Sequence, residues 1–160
     1  MTVLAIDPGQ QGLAWMLGGE ELIGGAVITL PKADLYRQAA VALMFMPGPG
    51  QVRHIALERM WYYPQRSSAK ASSEIKAILD LQAIGGLVAG YYRCPVTHYT
   101  AREWMLGSLP SHIVQGRVEM FLQGRETDVF VEILRATRKD LRHNAYDAAG
   151  IWLRYQGRWK

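Results

Sequence analysis

The chain has 160 residues, enough for one hydrophobic core, and a single domain over 1–160 is expected. Hydrophobic residues make up 49% and charged residues 20%, which excludes a disordered chain, and no apolar run reaches the roughly 18–20 residues of a membrane span. The net charge is +4, and 13 of the 18 basic residues are arginine, the better bidentate ligand for phosphate, so a polyanionic partner fits.

The single cysteine, Cys94, excludes an intramolecular disulfide and a Cys-based zinc cluster. The opening MTVLAIDPG has no basic region before its apolar stretch, unlike a secretory signal. A cytoplasmic protein with no membrane partner is expected.

Residues 2–6 (TVLAI) form a short, almost wholly apolar run, the pattern of a central strand buried on both faces. After the DPGQQG turn, 13–17 and 22–29 read as two further strands joined near Gly18-Gly19. A helix is predicted over 33–46 and is stopped by MPGPG. Residues 52–58 (VRHIALE) give a second candidate central strand. A long helix follows over 72–92, with Ile75, Ile78, Leu79, Gln82, Gly85 and Ala89 on one face. Its glycines at 85 and 86 suit close packing. Residues 95–100 form another short strand. The rest is helical, with interruptions expected near Pro110, Gly116 and Gly124, and a last helix spans 145–155. A hairpin meander followed by strand–helix–strand crossovers requires an α/β mixed sheet flanked by helices.

Three acids fall at element ends. Asp7 follows the first strand, Glu58 closes the second central strand, and Asp147 lies near the start of the last helix. Sites in open α/β sheets gather at such strand ends, and carboxylate oxygens are the ligands Mg²⁺ prefers. Each acid also has a plainer reading. Asp7-Pro8-Gly9 suits a turn, and Glu58 could pair with Arg53 or Arg59. With Asn144 as N-cap, Asp147 would complete a capping box. Only their joint occurrence in this element order favours metal binding.

Four segments bear a resemblance to one family. AIDPGQQGLAW, IALERMWYYP, PVTHYTAREW and HNAYDAAGIW, in that order, resemble the first strand, fourth strand, fifth strand and last helix of RuvC-type Holliday junction resolvases. The resemblance spans nearly the whole chain. It implies an RNase H-like mixed five-stranded sheet flanked by helices, and a Mg²⁺-dependent endodeoxyribonuclease in which Mn²⁺ substitutes. Asp7, Glu58 and Asp147 would be catalytic metal ligands. At the fourth position the chain departs from the commonest pattern: Asn144, three residues before Asp147, could offer a carbonyl oxygen, and His143, four before it, could act as ligand or base.

The resemblance also implies branched DNA as partner, in the form of a four-way junction, and a homodimer whose twofold symmetry pairs two nicks. Trp61, Tyr62 or Tyr63 would probe the junction, while Arg66, Lys70 and Arg102 would contact the DNA backbone. Arg117 and Arg125 are candidates for a further cation, and Arg135, Arg138, Lys139 and Arg142 for a phosphate track or a solvated helix face. The stripe on the 72–92 helix is a candidate dimer contact. No Walker lysine is present, so no nucleotide cofactor is expected. A bacterial cell or a phage-infected one suits such a protein. Two rivals stand beside this reading: a nuclease of the same fold for RNA–DNA hybrids or flaps, and a junction-binding module that does not cleave. An actin-like phosphotransferase would need a second half-domain.

Overall fold

A computed structural model describes residues 1–9, 11–59, 68–107 and 109–159, with the side chains of 68–74 outside that description. Five strands, β1 (Val3–Pro8), β2 (Gly12–Gly18), β3 (Leu22–Thr29), β4 (His54–Glu58) and β5 (Val96–Tyr99), form one sheet in the order β3-β2-β1-β4-β5. The strands β3, β2 and β1 run antiparallel as a meander, while β4 and β5 lie parallel to β1. Parallel neighbours need helical crossovers. These are α1 (Leu35–Met44), capped by the Asp34 carboxylate on the Arg37 amide, and α2 (Ser68–Tyr92). After β5 come α3 (Ala101–Met105), α4 (Ser111–Phe121), α5 (Arg125–Ala136) and α6 (Arg142–Tyr155).

Strand β1 sits at the centre and is buried along its whole length, as its unbroken apolar run predicts. Its side chains alternate between two cores. Val3 and Ala5 face α3–α6 together with Ala56 of β4, whereas Leu4 and Ile6 face α1 and α2 together with Ile55 and Leu57. Helix α6 crosses β1 and β2 and approaches them closely because Ala145, Ala148 and Ala149 are small and fully buried. A clasp closes this side of the molecule. Glu126 at the start of α5 accepts two bonds from Arg158, at 2.7 and 2.8 Å, and one each from the amides of Leu22 and Gln123.

The structure revises several expectations. Helix α6 begins at Arg142 rather than 145, continuing from a 3₁₀ turn over Lys139–Leu141, with Leu141 as N-cap. Asp147 therefore lies in the helix interior, and the Asn144–Asp147 capping box does not form. Gly116 lies inside α4 without interrupting it. On α2 the buried face is Leu81, Ile84, Gly85, Val88, Ala89 and Tyr92, so Gly85 and Ala89 of the expected stripe are buried while Ile75 and Leu79 are exposed. Of the paired glycines only Gly85 packs closely, since a Cβ there would lie 3.2 Å from Leu57 Cδ1; Gly86 faces open space. Among the described residues no helix is long and apolar enough to cross a membrane.

Candidate metal centre and nucleic-acid interface

The pairing of β1 with β4 dictates where the first two acids stand. Ile6 is the register partner of Leu57, so Asp7 and Glu58, each one residue further on, emerge at the same strand ends and on the same face. That face carries α6, which supplies Asp147 from its second turn. Asp7 and Glu58 are buried, and Asp147 is half-buried.

Electrostatics bind the three together. Burial raises Asp7 well above the ordinary carboxylate range, and repulsion from Glu58 and from Asp147 raises it further. Asp7 and Glu58 are in side-chain hydrogen-bond contact, which two carboxyl groups sustain only with a proton or cation between them. Asp147 is pushed up to about 7, first by burial and then by the charge of Glu58. The ion pairs Lys76–Asp80, Arg135–Glu132, Arg138–Asp140 and Arg158–Glu126 all lie elsewhere.

The donor set suits a hard divalent cation: all oxygen, anionic and desolvated. Its spacing is open. Among the described residues no three His, Cys, Asp or Glu side chains stand close enough to surround one ion as they are placed.

The supports of these acids were not foreseen from sequence. Trp104 of α3 is fully buried and donates a long hydrogen bond, 3.4 Å from Nε1 to Glu58 Oε1. It lies against α6 at Gly150, where a Cβ would collide with the indole ring. A signal was present: Thr100 and Glu103 form a capping box that fixes the short helix carrying Trp104. Asn144 is buried and donates from Nδ2 to the carbonyl of Gly12 at 2.9 Å, while the Gly9 amide donates to the same oxygen at 3.1 Å. A Cβ at Gly9 would lie 2.6 Å from Asn144 Nδ2, so glycine is needed there. Asn144 thus braces the turn that follows Asp7. His143 is exposed on the surface of α6.

Arg102 is exposed on α3, two residues before Trp104. Trp61, Tyr62, Tyr63 and Arg66 lie outside the described residues. Lys70 falls within α2, but its side chain is not among those described. Arg117 stacks over Trp159 at 5.9 Å, and Arg125 is exposed. In the basic cluster before α6, Arg135 and Arg138 pair with Glu132 and Asp140, and Arg142 donates to the Thr137 carbonyl at 3.4 Å.

Compared with solved structures, the chain resembles the RuvC of Thermus thermophilus, with a TM-score of 0.53 and 19% identity over all of this chain and 99% of that one. It also resembles the fowlpox virus Holliday junction resolvase, at 0.55 and 17% over 98% of each chain. The yeast mitochondrial Holliday junction resolvase Ydc2 aligns at 0.52 and 12%, over 98% of this chain and 81% of that one. The fold is therefore the RNase H-like fold of these resolvases, as the four sequence segments implied. No protein-family model matches the chain, and no curated protein matches it by sequence.

Proposed function

We propose that the chain is a divalent-metal-dependent endonuclease that resolves four-way DNA junctions as a homodimer. The observation that carries the reading is the convergence of Asp7, Glu58 and Asp147, from β1, β4 and α6, at one end of the sheet. Buried carboxylates that repel one another are a poor structural choice unless a cation joins them. The likeness in fold to junction resolvases agrees with this chemistry.

Asp7, Glu58 and Asp147 would hold Mg²⁺, or Mn²⁺ in its place, with the side-chain carbonyl of Asn144 as a further oxygen donor beside them. A pair of such ions supplies an activated water and a countercharge for the departing 3′ oxygen. Trp104 fixes the rotamer of Glu58 from behind, and Asn144 holds the 9–12 turn so that Asp7 keeps its direction. Arg102 would contact the DNA backbone beside the cut, with Arg66 and Lys70 further along it, and the aromatic segment Trp61–Tyr63 would enter the junction. The exposed apolar residues Ile75 and Leu79 of α2 would meet a second copy. His143 would serve as base only if it turns toward Asp147.

The test is cleavage of a synthetic four-way junction beside a linear duplex, a flap and an RNA–DNA hybrid, with Mg²⁺ or EDTA. Symmetric paired nicks in the junction alone, lost with EDTA, are the expected result. Preferential cutting of the flap or hybrid would overturn the substrate. A second reading, a junction-binding module without cleavage, is favoured by the open spacing of the acids. Tight junction binding without nicks in Mg²⁺ or Mn²⁺ would establish it.

A further inference from the structure

Behind Glu58 stands a second tryptophan. Trp104, whose indole N–H reaches Glu58 Oε1, is met edge-on by Trp159, with ring centroids 5.7 Å apart at 65°. Both rings are fully buried in the core shared by α3–α6. The bond to Glu58 is long, at 3.4 Å, so on its own it holds the indole weakly. Helix α3, five residues long, is little more than one turn and gives Trp104 slight support. The direction of the indole is therefore set by what the ring touches, the α6 chain at Gly150 and the indole of Trp159.

The seat of Trp159 is built by the end of α6. Gly157, at φ 70°, turns the chain back in a left-handed conformation that glycine adopts freely. The amides of Arg158 and Trp159 then donate to the Leu153 carbonyl at 3.0 and 3.2 Å, and Arg154 donates from Nη1 to the Trp159 carbonyl at 3.1 Å. Phe121 and the Arg117 guanidinium cover the ring, each 5.9 Å from its centroid. None of these contacts involves the Glu126 carboxylate. Among the described residues the buried Nε1 of Trp159 meets no acceptor. An unpaired N–H is unfavourable inside a protein, so what the ring gains there is packing.

We infer that Trp159 is a positioning residue for Glu58 and acts through Trp104: the turn after α6 wedges the Trp104 indole against the carboxylate that would hold the metal. The effect on metal binding rests on the proposed metal site. The contact itself does not.

Two measurements on the full chain test this. The first, in EDTA, follows the indole N–H resonance of Trp104 by heteronuclear NMR, identified by its loss in Trp104→Phe. Glu58→Gln should shift it. In Trp159→Met protein, which keeps apolar bulk but no flat ring, the same Glu58→Gln change should leave the resonance in place. Trp159→Phe should restore the response, and Trp159→Leu serves as a second variant read in the same way. The second measurement is calorimetric titration of the folded protein with Mn²⁺. Trp159→Met should weaken binding about tenfold, the lower end of what groups behind a metal ligand contribute. Ile133→Ala, which opens the same core beside Gly25 of β3, should leave binding unchanged. A Glu58 response undiminished in the Trp159 variants, or Mn²⁺ binding weakened as much by Ile133→Ala as by Trp159→Met, overturns the positioning role. Wild-type protein that binds Mn²⁺ no better than Asp7→Asn defeats the metal reading instead, and the resonance still decides the contact.

Discussion

Glu126 and Asp7 are both buried carboxylates, at 3% and 6% exposure, yet their surroundings drive them in opposite directions. Burial alone would raise Glu126. The hydrogen bonds from Arg158, the Gln123 and Leu22 amides and the charge of Arg158 outweigh it, and the carboxyl ends below its ordinary value. Asp7 is raised by burial with Glu58 and Asp147 adding to the rise. The clasp is complete within the chain. We read the acid cluster as left incomplete so that something from solution can complete it.

The largest expected effect breaks the cluster. Asp7→Asn should lower junction cleavage by more than the roughly 100-fold that outer-shell changes cost around a metal. It should also raise the melting temperature in EDTA, because a repelling buried charge is gone. Glu126→Gln should behave in the opposite way. It leaves Arg158 without its counter-ion and should cost about 3 kcal/mol in urea denaturation at neutral pH, while cleavage by the folded fraction is unchanged. A destabilising Asp7→Asn beside a neutral Glu126→Gln would invert the comparison and sink our reading of it.

Acidity separates the two sites next. The Glu126 contribution is present above its ordinary 4.5 and is lost as pH falls through its lowered value. Asp147, raised from 3.8 to about 7, stabilises the fold in its protonated form, so stability in EDTA should fall as pH rises through that interval. Mg²⁺ or Mn²⁺ should restore stability on the alkaline side only, by roughly 2.7 kcal/mol at 100 times Kd. Melting curves from pH 3 to 9 with EDTA or metal would show this. Equal stabilisation by metal at pH 4 and pH 8 would count against binding by these acids.

The smallest effect concerns residue 144. As a brace, Asn144 needs its amide hydrogens, so Asn144→Asp and Asn144→Ala should each cost about 1 kcal/mol in urea denaturation. Asn144→Asp with full stability and faster cleavage would make this position a ligand in its own right.

The central strands and the positions of the three acids were legible in the sequence because burial on both sheet faces leaves uninterrupted apolar runs ending abruptly at a charge. The start of α6 was not. Asn144 has the chemistry of an N-cap, but the helix is entered through a 3₁₀ turn with Leu141 at its boundary, which makes no side-chain cap. The buried face of α2 was placed only in part, at Gly85 and Ala89, because the helix is apolar around most of its circumference, so Ile75 and Leu79 match the period as well as Leu81 and Ile84 do. The supports at Trp104 and Arg158 reach Glu58 and Glu126 across 46 and 32 residues, beyond any local pattern. The fold and the acids lay within reach of sequence, but the groups that orient them did not.

The in-step pairing of β1 and β4 also constrains how such a chain can change over generations. Deleting one residue within either strand would turn its acid toward α2, away from its partners. Deleting two would restore the side but shift the carboxylate by about 6.6 Å along the strand, out of reach. Connections that touch neither the acids nor the DNA can grow, shrink and diverge. Descendants of this chain can therefore drift far in spelling, provided the count of residues between the Ile6–Leu57 pair and the two acids stays at one.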